Sequence, residues 1–359
     1  MNRRKFLNSI AATSAITAIN PLAFAQNKVP ALNRRNEKLL SCYYFRAHMY
    51  TMVPRHVRED LKWMADHGTD AIDLAILEQD MFAAVENIDI IANEAEKLGM
   101  KLFIVPSRWA GLVAGAPKVP SLFAVHNPHT WLMHTDGKPS YSEVSGVNCS
   151  IFYPEVADFF KSSLEKAIDL WNIKGIIWDE PKIYDFVDHS EAAIKKLGKN
   201  APKELYNQAF TDFWSEINTH IKEKYPEIQT HMFLYSEMNQ KVLENAATIK
   251  NLDYFGCDGR PWSADDSGKN EGGHQEGLAK TLLGAGERFL PVAKKNNKKS
   301  LWLVENHNML DKDVALMDKR FPEILNKDVD HLIYYYYPRN LENPENNMRV
   351  IGKHISNFK

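Results

Sequence analysis

Cysteine is scarce in this chain of 359 residues, which has Cys42, Cys149 and Cys257 and no others. Their spacing matches no zinc pattern, and an odd number leaves at least one thiol outside any disulfide. A disulfide-stapled or zinc-stapled architecture is therefore excluded, and all three read as small buried residues. A dominant charge is missing too. Lys and Arg total 44 against 46 Asp and Glu, a formal net charge of -2, which gives no long-range pull toward nucleic acid or anionic lipid. Inside the body of the chain no apolar run approaches the roughly 20 residues of a membrane span. No glycine-rich phosphate turn follows an early strand, which argues against a doubly wound open sheet. What is present is 44% hydrophobic and 25% charged residues, the balance of a globular chain with a large core. A small or neutral substrate fits these numbers best.

The first 25 residues stand apart. "MNRRKFLNSIAATSAITAINPLAFAQ" has a basic start, a modest apolar centre and Ala23-Phe24-Ala25 as a small-x-small cleavage site, the layout of an export signal removed after Ala25. Arg3-Arg4 followed by Lys5-Phe6-Leu7 resembles a twin-arginine signal, the route for proteins exported already folded. A general secretory signal is the alternative, and both place the mature protein, residues 26–359, in the periplasm or outside the cell. The residue directly after the cleavage point is Gln26 and not cysteine, which argues against a lipid anchor.

Beyond the signal, short β-rich runs alternate with amphipathic segments of helical period, a pattern that predicts a parallel sheet with helical crossovers. The strand candidates are 39–47, 70–77, 101–107, 175–181, 230–237, 254–261, 300–306 and 331–338. Helix-like stretches follow each, with punctuation such as Pro54 and Pro154 at starts and Gly68 and Gly99 just past ends. Units repeated in this way predict a single (β/α)8 barrel, α/β in class. Two insertions exceed ordinary loop length, 108–153 after the third strand and 262–275 after the sixth. In a barrel both lie on the catalytic face and wall the site.

The strand ends then acquire meaning, because a barrel brings them to one mouth. The fourth strand ends in Asp179-Glu180, the fifth in Glu237, the sixth in Asp258 and Arg260, and the seventh in Glu305 and His307. The first adds Arg46 and His48, the second Glu78, the eighth Tyr337 and Arg339. Ionised carboxylates are costly to desolvate, so acids closing successive apolar strands read as a functional ring. Paired carboxylates are what glycosidic cleavage needs: one arrives protonated to assist the leaving oxygen, the other meets the positive charge developing at the anomeric carbon.

"WDEP" at Glu180 and "WLVEN" at Glu305 together resemble the large clan of retaining (β/α)8 glycoside hydrolases, which carry an Asn-Glu-Pro-like acid/base motif after strand four and a nucleophilic Glu after strand seven. The resemblance implies Glu180 as acid/base, Glu305 as nucleophile, a carbohydrate substrate and no cofactor. Asp179 stands where the clan has Asn, and an ionised Asp accepts hydrogen bonds but donates none, which alters substrate contacts. Adjacent Asp-Glu also resembles substrate-assisted hexosaminidases, in which Asp179 would orient the acetamide and Glu180 would be the acid.

Two further readings stay open. A metal-dependent sugar isomerase or epimerase could draw ligands from Glu180, Glu237, Asp258 and Glu305 or His307. A non-catalytic barrel could bind glycans with the same groups. Trp109, Trp131, Trp178, Trp262 and the tyrosines of "IYYYYPRN" offer flat rings for a sugar face, with Trp262 and Tyr337 favoured over Trp178. His126, His129 and His134 lack any recognised metal spacing and suit hydrogen bonding or loop structure. The long walls favour exo action on short oligosaccharides.

Overall fold

The structure, a computed structural model, describes residues 38–115, 117–143, 145–261 and 281–358. The expected export signal, Trp262 and the whole second insertion lie outside the described residues.

Eight parallel strands close into a barrel: β1 (Leu39–Tyr44), β2 (Ala71–Leu77), β3 (Lys101–Ser107), β4 (Gly175–Asp179), β5 (Gln229–Leu234), β6 (Tyr254–Gly259), β7 (Lys299–Val304) and β8 (His331–Tyr335). Each strand pairs with its sequence neighbour, and β1 closes the ring against β8 through Leu39–His331 to Tyr43–Tyr335. The principal crossover helices are α1 (Pro54–Asp66), α2 (Val85–Lys97), α3 (Pro154–Trp171), α4 (Lys203–Lys224), α5 (Gln240–Ala246), α6 (Leu282–Lys295), α7 (Asp311–Leu325) and α8 (Pro344–Ile355). This is the (β/α)8 barrel the alternation predicts.

The strands are buried on both faces, as strands between a barrel core and a helix layer must be. Inward positions alternate: Leu39, Tyr43, Ala71, Ala75, Phe103, Ile177, Phe233, Leu301 and Ile333 fill the barrel, while Cys42, Leu74, Ile104, Ile176, Cys257 and Trp302 pack beneath the helices. The three cysteines are buried and unpaired. The inner alternation runs on through Asp179, Asp258 and Glu305 at the top of their strands, so the period that builds the core also aims the acids into the mouth.

Several strands stop short of the predicted ends; β4 ends at Asp179 and β8 at Tyr335. The residues beyond have left the ladder to form the rim. β3 and β4 share a short pairing, Phe103–Gly175 and Ile104–Ile176, and the insertion that follows β3 takes over above it: the Ala114 N–H donates to Asp179 O at 2.7 Å and Lys182 N–H to Leu112 O at 2.9 Å.

Candidate active site

A cavity of about 760 Å³ opens at the C-terminal mouth of the barrel. Asp179, Glu180, Asp258 and Glu305 all border it. It falls in the size range of small-molecule sites.

Local structure fixes each acid. The N–H of Glu180 donates to Phe233 O at 3.0 Å, which ties the residue after β4 to β5. Its φ of 39° is left-handed, as are those of Arg108 (63°) and Tyr337 (43°), and all three border the cavity. Side chains other than glycine take up that region at a cost of about 1–3 kcal/mol each, a strain that collects at functional sites. Glu305 is held through its N–H to Gly259 O at 2.9 Å. Next to it, buried Asn306 brackets Tyr335, donating to its carbonyl at 3.1 Å and accepting from its N–H at 3.0 Å. The arm carrying Arg108 is pinned by close backbone approach: a Cβ on Gly111, whose φ is 69°, would sit 2.2 Å from Val147 O.

The four carboxyls differ in proton affinity. Burial alone would raise Glu180, but the ammonium of Lys182, in direct contact, and a hydrogen bond from Asp258 outweigh it and hold Glu180 below the usual carboxylate range. Asp258 is pushed well upward by burial and by the charges of Glu180 and Glu305, so it carries the proton it shares with Glu180. Burial and the charge of Glu180 push Glu305 up to about 7. Asp179 is pushed up to about 6 by burial and by Glu180, against the Tyr43 hydroxyl, which donates to it at 2.5 Å. His307 Nε2 lies 4.0 Å from Glu305, and burial with the nearby arginines depresses its pKa to about 4, leaving a neutral ring.

Of the remaining residues expected at the site, His48, Tyr337 and Arg339 border the cavity. Arg46 does not: its Nε donates to Asp60 at 2.6 Å, so this arginine anchors α1 to the end of β1. Glu237 is buried and reaches Glu305 through its charge rather than bordering the cavity. Arg260 is exposed and likewise acts on Glu305 at a distance. Glu78 faces away and accepts hydrogen bonds from Ala110 N at 2.9 Å, Ser121 Oγ at 2.6 Å and Phe123 N at 2.6 Å. It organises the first insertion instead of joining the acid ring.

The indoles expected near sugar lie elsewhere. Trp178 is fully buried on the outer face of β4, donating to Asn218 Oδ1 at 2.9 Å. Trp109 donates to Ile76 O at 3.0 Å and Trp131 to Ala124 O at 2.7 Å, and neither borders the cavity. The aromatic wall is Tyr43, Phe45 and Tyr335, whose rings stack with centroids 4.5–5.7 Å apart. His129 pairs with Glu155 at 2.8 Å on the surface. Residues the sequence left unmarked are Tyr43, Phe45, Arg108 and Lys182, whereas Tyr335 is one of the tyrosines of "IYYYYPRN" expected to face sugar. Tyr43 and Phe45 could have been found as the inward positions of the first strand. Lys182 carried no signal, because a lysine after a strand end is ordinary. Among the described residues, no group of three or more His, Cys, Asp or Glu is arranged to hold a metal ion.

No protein-family model matches the chain. Nor does any curated protein sequence. Solved structures do match, among them (β/α)8 glycoside hydrolases. The catalytic domain of a beta-amylase from Paenibacillus polymyxa superposes with a TM-score of 0.60 at 8% identity, covering 90% of this chain and 99% of that one. The endo-beta-1,4-mannanase of Thermotoga petrophila gives 0.51 at 11% identity, covering 91% and 78%. Alpha-L-fucosidase isoenzyme 2 of Paenibacillus thiaminolyticus gives 0.59 at 9% identity, covering 89% of this chain and 49% of that one. At such identities the likeness is one of fold.

Proposed function

We propose that the protein is an exported glycoside hydrolase that cleaves a short oligosaccharide by double displacement, without a cofactor. The observation that carries the reading is the meeting of Glu180 and Glu305 on one cavity, with the ammonium of Lys182 in direct contact with Glu180. Glu180 is held ionised by Lys182 and Asp258, while Glu305 is pushed up to about 7 and is substantially protonated at neutral pH. Environments that drive two acids apart in this way mark one as proton donor and the other as carboxylate partner.

The roles are then the reverse of those implied by the clan resemblance. Glu305 donates a proton to the leaving oxygen. Glu180 attacks the anomeric carbon, forming a glycosyl ester, and Glu305 afterwards takes a proton from the water that releases the sugar. An acid role for Glu180, required by the clan assignment and by the substrate-assisted reading alike, runs against the ammonium beside it. Asp179, fixed by Tyr43, accepts a hydrogen bond from a sugar hydroxyl, and the Tyr43–Phe45–Tyr335 wall covers an apolar sugar face. The Arg3-Arg4 signal supports export; N-terminal sequencing of the mature protein should read Gln26 first.

Azide separates the roles. With a nitrophenyl glycoside, whose leaving group needs no proton, Glu305→Ala should keep the first step, and azide should restore turnover with retained anomeric configuration. Glu180→Ala with azide should give the inverted glycosyl azide. Cleavage by either variant at the wild-type rate would remove that residue from the mechanism, and glycan binding without product would make this a binding barrel.

A further inference from the structure

The cavity is richer in cations than glycoside cleavage requires. Arg108, Lys118, Lys182 and Arg339 border it. Lys182 is taken by Glu180. Arg108, Lys118 and Arg339 make no ion pair among the described residues, and Arg108 Nε is buried with no hydrogen-bond partner. A guanidinium N–H removed from water without an acceptor is unfavourable unless a ligand supplies one. Of the acids there, Glu180 is paired with Lys182 and Asp258 keeps its proton, which leaves Asp179 and Glu305 against the three other cations. The mouth is thus locally positive in a chain of formal net charge -2.

The arginines sit close to the reacting groups. The charge of Arg108 acts on both Asp179 and Glu180, and that of Arg339 on His307 beside Glu305. They reach the cavity from the residues after β3 and β8. The backbone of Arg108 is held in its left-handed turn by its N–H to Ala114 O at 2.9 Å. A planar guanidinium matches the two oxygens of a carboxylate or sulfate, a geometry a neutral hydroxyl does not offer.

We infer that the sugar bound here carries an anionic substituent, either a uronic-acid carboxylate or a sulfate ester, and that Arg108 and Arg339 are the residues that select it. The inference rests on the site proposed above but not on the order of its chemical steps.

Binding tests it apart from turnover. The probes are matched neutral, uronic-acid-containing and O-sulfated oligosaccharides, titrated into the wild type and Glu305→Gln at about 150 mM salt, where loose surface attraction is screened. One anionic class should bind at least about tenfold more tightly than its neutral match. Carboxylate preference would identify a uronic acid and sulfate preference an ester. Arg108→Gln and Arg339→Gln should each remove the preference, weakening anionic binding at least about tenfold more than neutral binding, and Arg108→Lys should restore part of it. Neutral sugars binding as tightly as anionic ones, no sugar binding at all, or a preference that survives both Gln variants would overturn the inference. Cleavage of neutral glycosides with no anionic preference would leave the hydrolase reading intact and remove this one; anionic binding without cleavage would do the converse.

Discussion

Asp258, at the inward top of β6, hydrogen-bonds the carboxylate of Glu180 beyond the end of β4, and the proton between them belongs to Asp258. Two like groups this close cannot both ionise. With Lys182 on its other side, Glu180 becomes the anion of the pair.

Removing these supports should act on Glu180 in a predictable direction. Lys182→Met withdraws the cation that holds Glu180 below its usual range, so ionisation becomes harder and the acidic limb of kcat/KM should move to higher pH. Asp258→Asn keeps a hydrogen-bond donor toward Glu180 and should retain activity within about tenfold, whereas Asp258→Ala should lose about a hundredfold or more. pH–rate profiles of the three variants check this. An unmoved acidic limb in Lys182→Met would show that Glu180 is not the group that must be ionised.

The basic limb should belong to Glu305. As proton donor it must carry its proton, and its pKa is pushed up to about 7, so kcat/KM should fall as pH rises through that value. The fall should be steep for alkyl glycosides and weak for nitrophenyl glycosides, whose departure needs little protonation. A limb equally steep for both leaving groups would assign it to another residue.

The barrel was legible because its signals repeat. Eight β-rich runs alternate with helical periods, and each has its counterpart in the closed ring. Strand ends were less so: pairing stops at Asp179 and Tyr335, two to three residues before the predicted ends at 181 and 338. Site membership was harder still. A strand-end residue can point to the mouth, as Glu305 does, or away from it, as Glu78 and Arg46 do. Sequence cannot tell these apart without register, since one step of slip reverses the face. Lys182 and Arg108 were invisible because their importance lies in which neighbours they lack or meet, and that is decided by the folding of a long insertion. Trp178 misled for the same reason: it stands beside Asp179 in sequence and on the opposite face of β4 in space.

Glu78 provides a test of how the insertion supports the site. It is buried, and it accepts from two backbone N–H groups and one hydroxyl of the first insertion. Glu78→Ala leaves those donors unsatisfied, at about 1–3 kcal/mol for each donor left buried. The variant should melt several degrees lower. It should also lose turnover, because Ala110 lies two residues from Arg108 in the arm that walls the cavity. Wild-type turnover in a destabilised Glu78→Ala would show that the arm is held by its other contacts.

Deep in the barrel, away from the mouth, Asp73 bonds Ser41, whose Oγ lies 2.7 Å from His331 Nε2; His331 in turn lies 3.1 Å from His231. Burial pushes Asp73 up to about 8, against the hydrogen bond from Ser41. An unfolded Asp titrates near 4, so between about pH 4 and 8 the native state holds a proton the unfolded chain has lost. Stability from this group is complete below that window and is lost as pH rises through it, by up to about 1.4 kcal/mol per pH unit. Asn fills the same space and does not titrate. The gain in melting temperature of Asp73→Asn over the wild type should therefore be small near pH 5 and should grow toward pH 8.5. His231 and His331, both held neutral by burial, weaken the fold as pH drops below about 6.5, but they do so in both proteins and cancel in the difference. Thermal melts of the pair across pH 5–9 measure the gap directly, and a gap that stays constant would mean that Asp73 keeps the same charge in the folded and unfolded chain.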